Sequence, residues 1–392
     1  MNILTFRCAA FRRLVAFGAG LLLLTAAGHA AASDRPVNLP RDATADLHYL
    51  LDLAKKGDGR DFDTQRIASL ITFLQSSKPA GSLYSAGDSF DAPSAYHDFT
   101  IDIGLTTIIG YTLDKNIPSF FFWPSSLRLS RWTRVVGGDE QFARMRSASV
   151  HLVAPFVLKG SEHQTITPDQ HTGAYYSYDV DKMVILSPYC DGKLMISIYR
   201  QQQPSAVGKR GWVLGKDDDW SYLYTDEKGL NLKGLGWAST YMYDSYGISI
   251  YYQPDVTRPK VICGVVSWVR AGWAGINMVQ PKYIRDGLVR VARAFTEIIE
   301  NPRLPAPASL AETFSKSKGL STPTLRKYVG DYLADLKQRL ASSKTLWEKV
   351  GPDFDRSTLL KQMDRDELYS VVALDYFKKL LGRNPVMESH PF

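Results

Sequence analysis

Between residues 43 and 78 apolar positions return at helical spacing: Leu47, Leu50, Leu51 and Ala54, then Ile67, Leu70, Ile71 and Leu74. Steps of three and four place these side chains on one face, so two short helices are expected, parted by Gly57-Asp58-Gly59. Asp42 or Thr44, and Asp63 or Thr64, offer oxygens that could cap their first amides. A polar, turn-rich stretch follows at 79–94.

From Tyr96 to Gln280 the pattern changes to short runs rich in β-branched and aromatic residues, bounded by Gly, Pro, Asp or Asn. Strands are expected at 150–158, 183–187, 193–200, 211–216, 220–225, 237–243, 247–253, 260–270 and 274–279. Their spacing suits hairpins, and therefore an antiparallel meander. Residues 101–113 fit either a further strand or a short helix. Pro281 then stands where a first helical turn begins. Ile284, Leu288, Val291, Phe295 and Ile298 follow as one stripe on a long helix. The run Asn301-Pro302-Arg303-Leu304-Pro305-Ala306-Pro307 ends it and reads as a semi-rigid linker. Leu325, Val329, Tyr332, Leu336 and Leu340, and later Leu359, Leu360, Met363, Leu368, Val371, Val372 and Leu380, give a helical tail. The expected class is α+β: N-terminal helices (33–95), a central antiparallel β-sheet closed by a long helix (96–300), and a C-terminal helical tail (301–392).

Residues 1–32 read as an export leader rather than as structure. Arg7, Arg12 and Arg13 precede the apolar run 14–27, and small residues around Ala30 offer a cleavage site. The run is short for a membrane span, so a periplasmic protein is expected ahead of one held by an uncleaved anchor. Removing the leader lowers the formal charge from +7 to +4, with 301–392 carrying the whole excess (15 basic against 11 acidic residues). No dense basic run appears there, so a nucleic-acid footprint is not supported. Beyond the leader two cysteines remain, Cys190 and Cys263. They are a disulfide candidate in an oxidising compartment, or two separate small apolar residues.

The passage Val261-Ile262-Cys263-Gly264-Val265-Val266-Ser267-Trp268-Val269-Arg270-Ala271-Gly272-Trp273 through Ile284 resembles the last strand, glycine turn and C-terminal helix of the START and Bet v1-like helix-grip family. The likeness covers about residues 237–300. It implies a curved antiparallel sheet gripping a helix around an apolar cavity, with a hydrophobic ligand such as a lipid.

Seven of the eight tryptophans fall between Trp123 and Trp273, and 16 of the 21 tyrosines between Tyr84 and Tyr283. Such rings can line a pocket, and they also pair across strands in ordinary sheets. Glu162, His163, Asp169 and His171 could approach a zinc ion, but their spacing is not that of a ligand set and the segment reads as a loop around Pro168. His97 with Asp98 and Asp102 could form a base and its orienter, although neighbours on a strand point to opposite faces. Asp217-Asp218-Asp219 lacks the glycine and glutamate of a calcium loop. Phosphate loops, dinucleotide fingerprints and nucleophile elbows are missing.

The expected function is therefore binding of an apolar, lipid-like molecule in the cell envelope, without a cofactor or metal. Tyr241, Tyr243, Tyr252, Trp268, Leu288, Val291 and Phe295 are the expected lining, with burial contributing roughly 25 cal/mol per Å². Two rivals remain. One is an envelope hydrolase of sugar or ester bonds using His97 with Asp98, Asp102, Asp179 or Asp244. The other is a structural or interaction protein that docks an envelope partner through 301–392.

Overall fold

Met183, Val184, Ile185 and Leu186 are consecutive and all buried. Side chains alternate in direction along a strand, so a run of this kind needs cover on both faces of its sheet. The rest of the chain supplies it. The computed structural model describes residues 35–392 apart from 58, 60, 80, 90, 171, 217–218, 233–235 and 352–353. The expected leader, together with His171, Asp217 and Asp218, lies outside the described residues.

A short strand β1 (Val37–Asn38) precedes helix α1 (Arg41–Lys56), a 3-10 turn at Thr64–Ile67, and α2 (Ala68–Gln75). Next come β2 (Tyr84–Ser85), β3 (Ser94–Ile101), α3 (Leu105–Thr112), β4 (Leu127–Val135) and α4 (Glu140–Val150). Four strands follow: β5 (Phe156–Ile166), β6 (Ala174–Tyr175), β7 (Ser177–Tyr189) and β8 (Gly192–Gln201). Then come β9 (Lys209–Leu214), β10 (Ser221–Lys228), β11 (Leu230–Leu232) and β12 (Gly236–Ala238). The sheet ends with β13 (Thr240–Gln253), β14 (Val261–Trp273) and β15 (Ile276–Asn277). The remaining helices are α5 (Pro281–Ile299), α6 (Pro307–Ser317), α7 (Thr322–Ala341), α8 (Lys344–Val350), α9 (Arg356–Gln362) and α10 (Arg365–Leu380).

The main sheet runs β1-β2-β3-β14-β13-β8-β7-β5-β4, with β15 paired to β14; β1 and β2 are parallel and the other pairs antiparallel. A second small sheet has the order β10-β9-β6. One face of the main sheet presents Met183, Ile185, Leu194, Ile196, Ile248, Ile250, Tyr252 and Trp268 to Leu47, Leu50, Leu70 and Ile71 of α1 and α2. The other presents Leu158, Val184, Leu186, Met195, Tyr251 and Cys263 to a core shared with α3, α5 and the tail helices. The fold is thus α+β as expected, with helices on both faces. Among the described residues no helix is long and apolar enough to cross a membrane.

Several details differ from the sequence reading. The strands expected at 237–243 and 247–253 are largely one strand, β13, whose register shifts between Met242 and Asp244 where a bulge absorbs a residue. The strand expected at 150–158 is instead the end of α4 and the start of β5, parted by Pro155. Residues 101–113 divide between the end of β3 and α3. β4 was not anticipated, because Arg128, Arg131 and Arg134 interrupt its apolar pattern; it is an edge strand, where charge discourages pairing with other chains. Glu162 and His163, read as loop, sit within β5. Asp63 caps its turn as expected, whereas Pro40, rather than Asp42 or Thr44, holds the cap position of α1. The tail's apolar stripes are buried in the same core as the sheet: Phe314, Leu325, Val329, Val372 and Phe377 are all fully covered. Cys190 and Cys263 do not pair. Cys190 is exposed in the β7–β8 turn and Cys263 is buried mid-strand on β14, and both are free thiols.

Candidate functional site

Pro281 opens α5 at its first turn, and its missing amide is one the helix would leave unpaired in any case. The stripe that follows lies against the sheet. The Phe295 ring stacks on Trp123 (centroids 5.6 Å apart, planes within 3°) and meets Tyr251 edge-on at 6.2 Å. Ile298 and Ile299 are buried beside it, while Ile284 packs with Leu83, Ala95 and Leu288 nearer the start of the helix. Rings and aliphatic side chains of helix and sheet touch one another along this seam.

The seven expected lining residues consequently fall in three places. Phe295 and half-buried Leu288 belong to the α5 seam, and half-buried Val291 lies between them along the helix. Tyr252 and Trp268 lie on the opposite face of the sheet, in the core under α1 and α2. There the Trp268 indole donates to the Gly87 carbonyl at 3.2 Å, and Tyr252 meets Tyr189 edge-on at 5.4 Å. Tyr241 and Tyr243 stack on each other, 6.0 Å apart, at the end of the sheet.

That end is built around the β14–β15 hairpin. Trp273 pairs with Ile276, so the turn holds two residues, Ala274 and Gly275, with φ of 50° and 79°. Positive φ at both positions is the type I′ geometry that matches strand twist. The Gly275 amide donates to the Tyr243 hydroxyl at 2.7 Å, and the Arg270 guanidinium lies 5.3 Å from the Tyr243 ring while pairing with Asp244 at 3.4 Å. Fixed in this way, the hairpin and the residues after it expose Ile276 (57 %), Met278 (47 %) and, in the first turn of α5, Tyr283 (45 %), with Trp273 half-buried. Lys282 sits 5.3 Å from the Tyr283 ring and makes no ion pair among the described residues. Arg285 pairs with Asp286 at 2.9 Å. Apolar and aromatic groups beside cations can meet a surface that is greasy within and anionic outside. Ile276, Met278 and Tyr283 escaped the sequence reading; apolar residues directly after a Gly-containing turn were the available signal.

His97 and its expected partners do not converge. His97 stacks on Phe99 at 6.1 Å, and burial together with nearby Arg285 lowers its pKa, while Asp98 opposes that shift. Asp98 takes Lys78 at 3.2 Å, and the Asp102 amide donates to Glu300 at 2.6 Å. Asp179 bonds His163 at 2.7 Å on β5 and β7, and Asp244 serves Arg270 and the Tyr246 hydroxyl. The fully buried Glu162 receives Lys182 at 2.7 Å, and Asp169 holds Thr172 in its turn. Among the described residues no group of three or more metal-ligating side chains gathers.

No family model matches the chain, and no curated protein matches it either.

Proposed function

We propose that this protein acts in the cell envelope by binding lipid, and that it does so at the surface of an anionic bilayer through the β14–β15 tip rather than by enclosing a lipid. The observation that carries the reading is the exposure of Ile276 and Met278 on the β14–β15 hairpin, whose turn is held by the Gly275 amide on the Tyr243 hydroxyl, with Tyr283 exposed in the first turn of α5 that follows. A bilayer interface rewards both aromatic rings with polar tips and aliphatic groups that enter between headgroups. Lys282 supplies charge of the sign that anionic headgroups attract, worth about 1 kcal/mol near such a surface, while Arg270 and Arg285 are offset by Asp244 and Asp286. The leader-like residues 1–32 support an envelope location. On this reading the helix-grip likeness extends to a helix laid on an antiparallel sheet, with the ligand outside it. The direct contacts of Phe295 with Trp123 and Tyr251 favour this over an enclosed ligand.

Vesicle flotation tests the proposal. The full chain should float with phosphatidylglycerol-containing vesicles and much less with pure phosphatidylcholine. Replacing Ile276 and Met278 together by Asp should abolish flotation without shifting the unfolding midpoint. Failure of the wild-type protein to float with either vesicle, or unchanged flotation of the double variant, overturns it.

A further inference from the structure

Away from the tip, a cleft of about 30 Å³ lies where β4 and β10 meet the tail helices α7 and α10. Rings form much of its wall: Trp220, Tyr222 and Tyr224 in and just before β10, and Tyr332 on α7. The volume has room for about two waters, or for a group as small as a carboxylate.

Three charged side chains line the same cleft: Arg128 from β4, and Asp375 and Lys378 from α10. All three are buried, at 6 %, 1 % and 2 % exposure. The one carboxylate among them is already engaged. Asp375 accepts from the Val386 and Met387 amides at 2.7 and 2.9 Å and bonds His390 at 3.1 Å. Arg128 gives Nη1 to Glu367 at 3.1 Å and lies 3.8 Å from the Tyr224 ring, while its buried Nε has no hydrogen-bond partner among the described residues. Lys378 makes no ion pair among the described residues. Its Nζ donates to the Ser221 Oγ at 3.0 Å, a neutral acceptor for one of three protons. A buried ammonium without a counter-charge is costly, and the cleft it lines is one anion short.

We infer that this cleft binds a short-chain carboxylate, acetate to butyrate in size, whose charge answers Lys378 and Arg128 and whose hydrocarbon end meets the rings. The site is separate from the tip and from bilayer binding. A bare inorganic anion would meet the cations and leave the aromatic wall unused, and a long acyl chain exceeds the volume. Burial lowers the Lys378 pKa to about 8. Asp375 and Asp219 oppose that shift, while Arg339 and Arg383 reinforce it, so the amine faces charges from α7, α10, the segment after α10 and the β9–β10 turn. Burial raises the Tyr224 and Tyr332 phenols, which stay neutral across the same range. A bound carboxylate favours the protonated amine, so affinity is highest below pH 8 and declines as pH rises through it.

The test titrates the full chain with propionate, its neutral isostere propionamide, and inorganic phosphate, followed by saturation-transfer NMR. Propionate should bind saturably, and the other two at least about tenfold more weakly, the scale of one charge-assisted hydrogen bond. Lys378→Met should weaken propionate by a similar factor and remove the decline in affinity through about pH 8. Val371→Phe, a cleft-lining change that keeps both cations, should also weaken propionate by narrowing the cleft, and decides the matter should Lys378→Met fold poorly. No saturable propionate signal in the native protein, phosphate or propionamide binding as tightly as propionate, or unchanged affinity in either folded variant overturns the inference and leaves the bilayer proposal standing.

Discussion

Two seams run through the core shared by the sheets, α5 and the tail helices, and they are made differently. At the α5 seam the contacts are rings and aliphatic chains: Phe295 on Trp123 and Tyr251, with Ile298 and Ile299 beside them. At the tail seam rings surround charges. The Arg128 guanidinium lies 3.8 Å from the Tyr224 ring and pairs with Glu367 at 3.1 Å, Arg383 covers Trp220 at 4.0 Å, and Lys378 and Asp375 are almost wholly buried. The first arrangement gains stability from every buried carbon. The second must offset the desolvation of each ion with hydrogen bonds, and such groups often cost more than an apolar replacement would. Charges persist there because partners hold them: Glu367 holds Arg128, and the Val386 and Met387 amides hold Asp375.

The sharpest way to break the contrast is to open the apolar seam. Phe295→Ala should lower unfolding free energy by about 3–5 kcal/mol in urea denaturation, because the ring's transfer energy is lost and a cavity remains. A loss below about 1 kcal/mol would mean that the seam relaxes freely, and would restore the enclosed-ligand picture.

Next in size is the pH response of the tail seam. The Lys378 pKa is about 8 in the folded protein against an ordinary value of 10.5. Below pH 8 both states hold the proton and the folded state bears the full cost of the buried charge. As pH rises from 8 the folded state releases its proton first while the unfolded chain keeps it, so stability should increase, by up to about 3 kcal/mol on the linkage slope of 1.36 per unit. Burial raises the pKa of Tyr224, Tyr251 and Tyr332, which has the opposite effect above pH 10, where the unfolded chain ionises first. The gain should therefore appear between pH 8 and 10 in denaturation midpoints. It should vanish in Lys378→Met, which should be no less stable than wild type at pH 7. A flat profile in the wild-type protein would show that the amine is not desolvated.

The apolar seam was legible in the sequence and the charged one was not. Ile284, Leu288, Val291, Phe295 and Ile298 announce a helix face because burial of carbon imposes a period, and α5 spans the residues that period marks. The tail's stripes foretold α7 and α10 equally well. What covers them is a long-range matter: nothing in Arg128, Ser221 or Lys378 taken singly says that β4, β10 and α10 meet. The two-faced cover of the sheet was written in the unbroken run 183–186, yet which helices supply it depends on connections across two hundred residues. Tyr252 and Trp268 were assigned to the α5 side, whereas the alternation of β13 and β14 turns both toward α1 and α2. At the tip, Tyr241 and Tyr243 were singled out for their rings, whereas Ile276 and Met278 fell within the strand expected at 274–279, and only the Gly-containing turn before them hinted at their exposure.

The smallest effect compares two residues held in the same uncommon backbone region. Ala274 (φ 50°) is exposed in the type I′ turn of the tip, and Trp220 (φ 46°) is buried at the tail seam. At Ala274 nothing but the turn itself demands the left-handed conformation, so glycine relieves the strain there and loses no packing. The strain is about 1–2 kcal/mol, and glycine's extra freedom in the unfolded chain takes back roughly 0.5–1. Ala274→Gly should therefore stabilise the protein by about 0.5–1 kcal/mol, read as a higher urea midpoint at unchanged slope, with vesicle flotation preserved because Gly275 still donates to Tyr243. Trp220 differs in kind: its indole is buried in the cleft wall beneath Arg383, and those contacts outweigh the same relief. A destabilised Ala274→Gly variant would mean that the Ala274 methyl packs in the tip, and the turn would then have to be treated as part of the binding surface rather than as the hinge that presents it.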